Sequence, residues 1–234
     1  MQKTKLTHSS TASFKFFTSS ATRSLLAVIV AITLGGASLP AIGASSISAS
    51  SALASLKVRS WSSHNGYARS AFSDGWGNIG ECDTRNYILR RDMTNITWRT
   101  SPKCTVSTGT LRDPYTGKVI NFVRGVKTSL AVQIDHVVAL SNAWVTGASV
   151  LSASARYNIY NDPLNLLAVD GPTNESKSDS DASAWLPPNT GYRCAYVARQ
   201  IAVKRKYHLW VTASEKAAMA GVLAACPKQG LPNG

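Results

Sequence analysis

Apolar and polar positions change their period several times along this chain, and each change marks an element. The segment Arg85-Asn86-Tyr87-Ile88-Leu89-Arg90-Arg91 holds good helix formers and no breaker. A short helix capped by Asp83 or Thr84 and running through Met93 is therefore expected, with a basic face. Residues 95–99 and 105–107 alternate in the manner of strands. Asp113-Pro114-Tyr115-Thr116-Gly117 predicts a turn, with proline setting φ at the second position and glycine closing it. Val119–Val123 and residues 130–134 read as strands, and the second runs directly into Asp135-His136.

Residues 139–160 carry Ala, Leu and Trp at helical spacing, interrupted at Gly147, which predicts two short helices. The apolar run 164–169, bounded by Pro163 and Gly171, is too short for a helix and reads as a buried strand. Pro172 and Thr173 can open a helix that contains Asn174 and Lys177. Over residues 193–207 an apolar side (Ala195, Val197, Ala198, Ile201, Ala202) opposes Arg199, Lys204, Arg205 and Lys206, the pattern of an amphipathic helix with a solvated basic face. Thr212-Ala-Ser-Glu215 has the capping-box spacing and starts a last helix ending near Cys226. Residues 61–80 mix aromatics with Gly and Ser and read as an irregular, partly helical wrap. The fold class is α+β, a small strand-strand-helix centre embedded in a mostly helical single domain.

Two features bound the domain. Residues 1–44 carry Lys3, Lys5, Lys15 and Arg23 and no acid, then the apolar run 25–34 and small residues. That is the layout of a secretory signal peptide, and the apolar run falls short of the roughly 18–20 residues a spanning helix needs. Cleavage near residues 41–46 is expected, giving an exported protein with no stable membrane association. A Ser/Ala-rich stub within residues 45–60 reads as a flexible, disordered lead-in, the domain proper as residues 61–227, and residues 228–234 as a tail.

Charge narrows the partner. The chain has 25 Lys and Arg against 12 Asp and Glu, and without the leader the balance is +9. A polyanion is the partner such a field selects. Nucleic acid, anionic cell-wall polymer and anionic lipid all satisfy it. All four cysteines, Cys82, Cys104, Cys194 and Cys226, follow the leader, and an even count in an exported chain argues for two disulfides. Of three connectivities, Cys82 with Cys104 and Cys194 with Cys226 is favoured. A zinc site fits poorly, because zinc motifs bring cysteines in close pairs.

Gln133-Ile134-Asp135-His136-Val137-Val138-Ala139-Leu140 carries the chemistry. A strand delivers adjacent Asp and His side chains to opposite sides of the backbone. Phosphodiester hydrolysis needs an activated oxygen nucleophile and neutralisation of the charge that grows on the phosphate. A neutral imidazole at His136 suits the first need, and Asp135, a hard oxygen ligand, suits the second. Downstream come Asn161-Asp162-Pro163-Leu164-Asn165-Leu166-Leu167 and Gly171-Pro172-Thr173-Asn174-Glu175-Ser176-Lys177.

The Asp-His strand, the Asn-Leu strand and the Asn-x-x-Lys helix start resemble the HNH, or ββα-metal, nucleases, and more narrowly the branch related to the C-terminal domain of GmrSD-type restriction enzymes. Cys82-Asp83-Thr84-Arg85-Asn86, the Asp113–Gly117 turn, Asp181-Ala182-Ser183-Ala184-Trp185-Leu186-Pro187 and Trp210-Val211-Thr212 extend the likeness over nearly the whole chain after the leader. The resemblance implies His136 as general base, Asp135 and Asn174 as metal ligands, Asn165 as the residue that orients the base, and Lys177 as a cation for the scissile or a neighbouring phosphate. Asn165 could equally bridge backbone in a buried turn, and Lys177 could be a solvated helix residue. Arg85 would fix phosphate or pair with Asp83. An Asp/Asn oxygen site suits Mg²⁺ or Mn²⁺ more than Zn²⁺. The expectation is a secreted, monomeric, metal-dependent endonuclease acting on nucleic acid, DNA before RNA, without sequence specificity. Against it stand a cationic cell-wall or nucleic-acid binding protein without catalysis, and a metal-dependent hydrolase of other polymers. The binding protein would keep the charge but gives no reason for Asp135, His136 and Asn174 in this order.

Overall fold

The computed structural model describes Lys15 and residues 47–99 and 103–232. The expected leader lies outside the described residues apart from Lys15. Residues 44–234 form one compact unit. Its first element corrects the expectation of a disordered lead-in, because Ala49–Ser55 is a helix, α1. Ser48 caps it through its hydroxyl. Ala49, Ala52, Leu53 and Leu56 recur at helical spacing and are buried, and the helix packs against the two long C-terminal helices. A serine-rich composition hid a four-residue apolar stripe, and burying such a stripe outweighs the modest propensity of serine for helix. The tail is tied down as well, since Ala49 N–H donates to Gln229 O at 2.8 Å.

An irregular segment with one 3-10 turn at Arg69–Ala71 leads to a small ribbon, β1 (Asn78–Ile79) and β2 (Cys82–Asp83), and then to α2 (Thr84–Asp92). Asp83 caps α2 by accepting from Asn86 N–H at 2.8 Å. Next comes an antiparallel three-stranded sheet in the order β3 (Met93–Trp98), β4 (Val106–Arg112), β5 (Val119–Val123). The Asp113 turn joins β4 to β5, with Gly117 at φ +77°, where a side chain would be strained. β6 spans Val132–His136, two residues later than the pattern suggested, because a 3-10 turn holds Thr128–Ala131. It is followed by α3 (Leu140–Val145) and α4 (Ala153–Asn161), β7 (Leu166–Asp170) and α5 (Gly171–Lys177). The chain closes with α6 (Arg193–Lys206) and α7 (Ala213–Ala224).

β6 and β7 pair antiparallel, with Asp135 opposite Leu167 and His136 opposite Leu166, and α5 follows, so the strand-strand-helix unit forms as expected. Both faces of this ribbon are covered. Ile134, Leu166 and Ala168 pack with α2 and the three-stranded sheet, while Leu167 and Val169 pack with α1, α6 and α7. Double burial explains why 164–169 reads as an unbroken apolar run. Two disulfides, Cys82–Cys104 and Cys194–Cys226, tie β2 to the loop before β4, and α6 to the end of α7.

Candidate active site

Alternation along β6 sends Asp135 and His136 to opposite sides, and each meets a different set of partners. The Asp135 carboxylate is 4% exposed. Its Oδ1 accepts from Lys177 Nζ at 2.8 Å, and its Oδ2 accepts from the Tyr115 hydroxyl. Tyr115 is delivered by the Asp113 turn. The Asp113 side chain accepts from the backbone N–H of Tyr115, Thr116 and, across the fold, Asp170 at the end of β7. Burial, with the negative charge of Asp135 next, pushes the Tyr115 phenol well above its usual range, so it stays protonated and donates.

His136 lies on the other side, stacked on Trp76 with ring centroids 5.7 Å apart and the planes within 7° of parallel. Its Nε2 is 2.9 Å from Tyr160 O. A carbonyl can only accept, so Nε2 carries the proton and Nδ1 keeps its lone pair. Burial, and secondarily the Arg69 charge, hold the imidazole's pKa down at about 3, which leaves the ring neutral at ordinary pH. A neutral ring with an open Nδ1 is the form that can take a proton from water.

Asn174 stands on α5, which Asp170 caps by accepting from Thr173 N–H at 3.0 Å, with Pro172 in the first turn. Its amide orientation follows from its neighbours. Glu175 Oε1 can only accept, so Gln133 turns Nε2 to it at 2.8 Å. Gln133 Oε1 then accepts from Asn174 Nδ2 at 2.8 Å. The remaining atom, Asn174 Oδ1, has no donor among the described residues.

Asp135, His136 and Asn174 line one cleft of about 460 Å³, together with Tyr67, Arg69, Gln133, Glu175 and Asp179. Three of the residues that the sequence singled out are therefore brought together. Asn165, Lys177 and Arg85 do not line it. Asn165 is fully buried and grips the turn after His136, accepting from Val138 N–H at 2.8 Å and donating to Val138 O and Ile159 O. It holds backbone and does not touch the imidazole. Lys177 is also fully buried, with Nζ on Asp135 Oδ1 and on His136 O at 3.0 Å, so the expected phosphate contact is corrected to an internal ion pair. Arg85 donates to Val132 O at 3.2 Å and does not line the cleft.

Sequence reasoning missed Trp76, Tyr160, Tyr115, Gln133 and Arg69. Gln133 had a signal, because it shares the strand face of Asp135 two residues on. Tyr115 sat inside a motif read only as a turn. Trp76 and Arg69 had none, being far from His136 along the chain.

Among the described residues no group of three or more His, Cys, Asp or Glu side chains gathers as a metal site. The two oxygen donors at hand, Asp135 and Asn174 Oδ1, still suit one hard cation. Each carboxylate oxygen of Asp135 accepts one donor and has a second lone pair, and Mg²⁺ is commonly bound by one or two carboxylate-type ligands with water and phosphate completing its shell.

The family described as GmrSD restriction endonucleases, C-terminal domain, matches residues 83–222. An uncharacterized secreted protein from Arthroderma benhamiae is 36% identical over 204 residues, covering 86% of this chain and 96% of that protein. No solved structure matches. The match spans β2 to α7 and includes every element that carries the cleft except the aromatic wrap, and the chain belongs to the GmrSD restriction endonuclease C-terminal domain family.

Proposed function

We propose that this protein, which like its relative is secreted, is an HNH-type endonuclease that hydrolyses phosphodiester bonds of nucleic acid with one divalent cation, DNA being the first substrate to test. One observation carries the reading. His136 is held neutral with Nε2 committed to Tyr160 O, which leaves Nδ1 its lone pair, and the residue lines the cleft that Asp135 and Asn174 share.

Water attacks phosphorus, its proton passes to His136 Nδ1, and the phosphorus–oxygen bond to the leaving sugar breaks. The departing oxygen takes a proton from solvent. Asp135 and Asn174 would hold Mg²⁺ or Mn²⁺, which supplies neutralisation of the phosphate's growing charge. Tyr115 and Lys177 fix the Asp135 carboxylate, and Trp76 and Tyr160 fix the imidazole plane. Asn165 is a positioning residue that sets the path of Val137 and Val138 behind the base. With a +9 balance after the leader, capture of the polyanion is electrostatic and falls with salt.

Plasmid nicking with and without EDTA, compared with His136→Ala, tests the assignment. Chelator-sensitive nicking by the wild type is expected. His136→Ala should retain DNA binding and lose about 10² to 10⁴ in rate, the usual contribution of a general base. Nicking that survives EDTA, or near wild-type nicking by His136→Ala, would overturn it.

A further inference from the structure

Resting on the nuclease reading, we infer that Arg69, supplied by the aromatic wrap outside the family match, is the side chain that contacts the scissile phosphate. Arg69 is the cationic residue among those lining the cleft. It is exposed, and no carboxylate lies within ion-pair distance of it among the described residues. Its guanidinium lies 5.0 Å from the centre of the Tyr160 ring and donates once, from Nη2 to the Tyr160 hydroxyl at 3.3 Å. A guanidinium has five N–H donors in a fork that matches two phosphate oxygens. Most of that fork is therefore open at the cleft.

The contrast with the other cations near the site sharpens this. Lys177 is spent on Asp135, and Arg91 and Arg199 donate to backbone carbonyls of Pro163, Leu164 and Leu166. Arg85 does the same at Val132. Each is turned inward, where it satisfies protein acceptors. Arg69 is stacked on the ring whose backbone carbonyl fixes His136, so its position is coupled to that of the base. Its charge is felt both at the His136 ring and at Tyr67. The exposed acids Glu175 and Asp179 also line the cleft, so Arg69 is the group there that attracts a phosphate.

Four proteins decide the matter: wild type, Arg69→Ala, Arg69→Lys and Arg205→Ala, the last removing an exposed charge on α6 that does not line the cleft. Circular dichroism first checks that each is folded. The single-turnover rate of plasmid cleavage at saturating protein should fall about 10²-fold for Arg69→Ala, the usual loss on removing one transition-state donor. Arg69→Lys should recover part of it, and Arg205→Ala should stay within about twofold. In a His136→Ala background, binding of a short duplex measured by anisotropy against salt should show a slope reduced by about 0.9 for Arg69→Ala, one phosphate contact fewer. A saturating rate for Arg69→Ala equal to that of a cleaving wild type would overturn the inference and leave the nuclease reading intact. Failure of the wild type to cleave would sink the nuclease reading instead, and an unchanged salt slope would then still reject Arg69.

Discussion

Lys177 and Lys204 are two fully buried lysines with opposite consequences. Both sit near the C-terminal ends of their helices, α5 and α6. Lys204 Nζ donates to Glu215 Oε2 at 3.1 Å, Asn142 Oδ1 at 2.8 Å and Trp210 O at 3.2 Å, joining α6, α7 and α3. The Lys204 and Glu215 side chains are both fully buried. Lys177 instead pairs with a carboxylate that lines the cleft. The same ionic device staples helices in one half of the molecule and positions a functional oxygen in the other. A buried ion pair is weak evidence of net stability, so the difference between the two is one of role.

The largest expected effect concerns the single lysines. Lys204→Met leaves Glu215 buried without its cation and should destabilise by about 3–5 kcal/mol. Lys177→Met should cost less, because Asp135 keeps the Tyr115 hydroxyl and borders the cleft. Urea unfolding of both variants measures the gap, and equal losses would erase the distinction.

Replacing whole pairs separates stability from chemistry. Lys204→Met with Glu215→Leu should leave cleavage within about twofold, since a buried pair exchanged for apolar residues is often neutral or stabilising by about 1–4 kcal/mol. Lys177→Met with Asp135→Leu should lower single-turnover cleavage by about 10² to 10³, the scale of one lost electrostatic contact. Retained activity in the second double variant would break the comparison from the functional side.

The smallest effect is a pH slope confined to the site half. His136 takes a proton near pH 6.5 when unfolded but only near pH 3 when folded. Between those values the unfolded chain binds more protons, so stability falls as pH falls, by up to about 1.4 kcal/mol per pH unit. Urea unfolding in EDTA at pH 7, 6 and 5 should show this slope, and His136→Phe should flatten it. A slope that persists in His136→Phe would locate the titration elsewhere.

Much of the architecture was legible because its causes are local. Asp83, Asp170 and Thr212 accept from backbone N–H groups three residues ahead, and such caps are written in consecutive residues. The Thr212-x-x-Glu215 box was legible in the same way, but not all that Glu215 does. Thr212 caps as expected, and the Glu215 carboxylate feels the Thr212 backbone N–H while also pairing with the buried Lys204 ammonium, a partner the box spacing does not encode. In α1, polar composition concealed a buried stripe that its spacing contained. At the site, the structure brings Asp135, His136 and Asn174 to one cleft, Asn165 takes the backbone-bridging alternative, and Lys177 is turned inward to Asp135.

By itself the sequence determined the α+β order of elements, the strand-strand-helix unit with its Asp-His pair, and the cysteines available for two disulfides. These depend on period, capping and turn chemistry within a few residues. The tertiary structure decided which cations are buried, that Tyr115 and Lys177 share one carboxylate, and that Trp76 and Arg69 reach the base from 60 or more residues away. A lysine or arginine carries a long apolar stem and a charged head. Whether the head points to solvent or to a buried acceptor depends on what lies across the fold, and no periodicity along the chain encodes that.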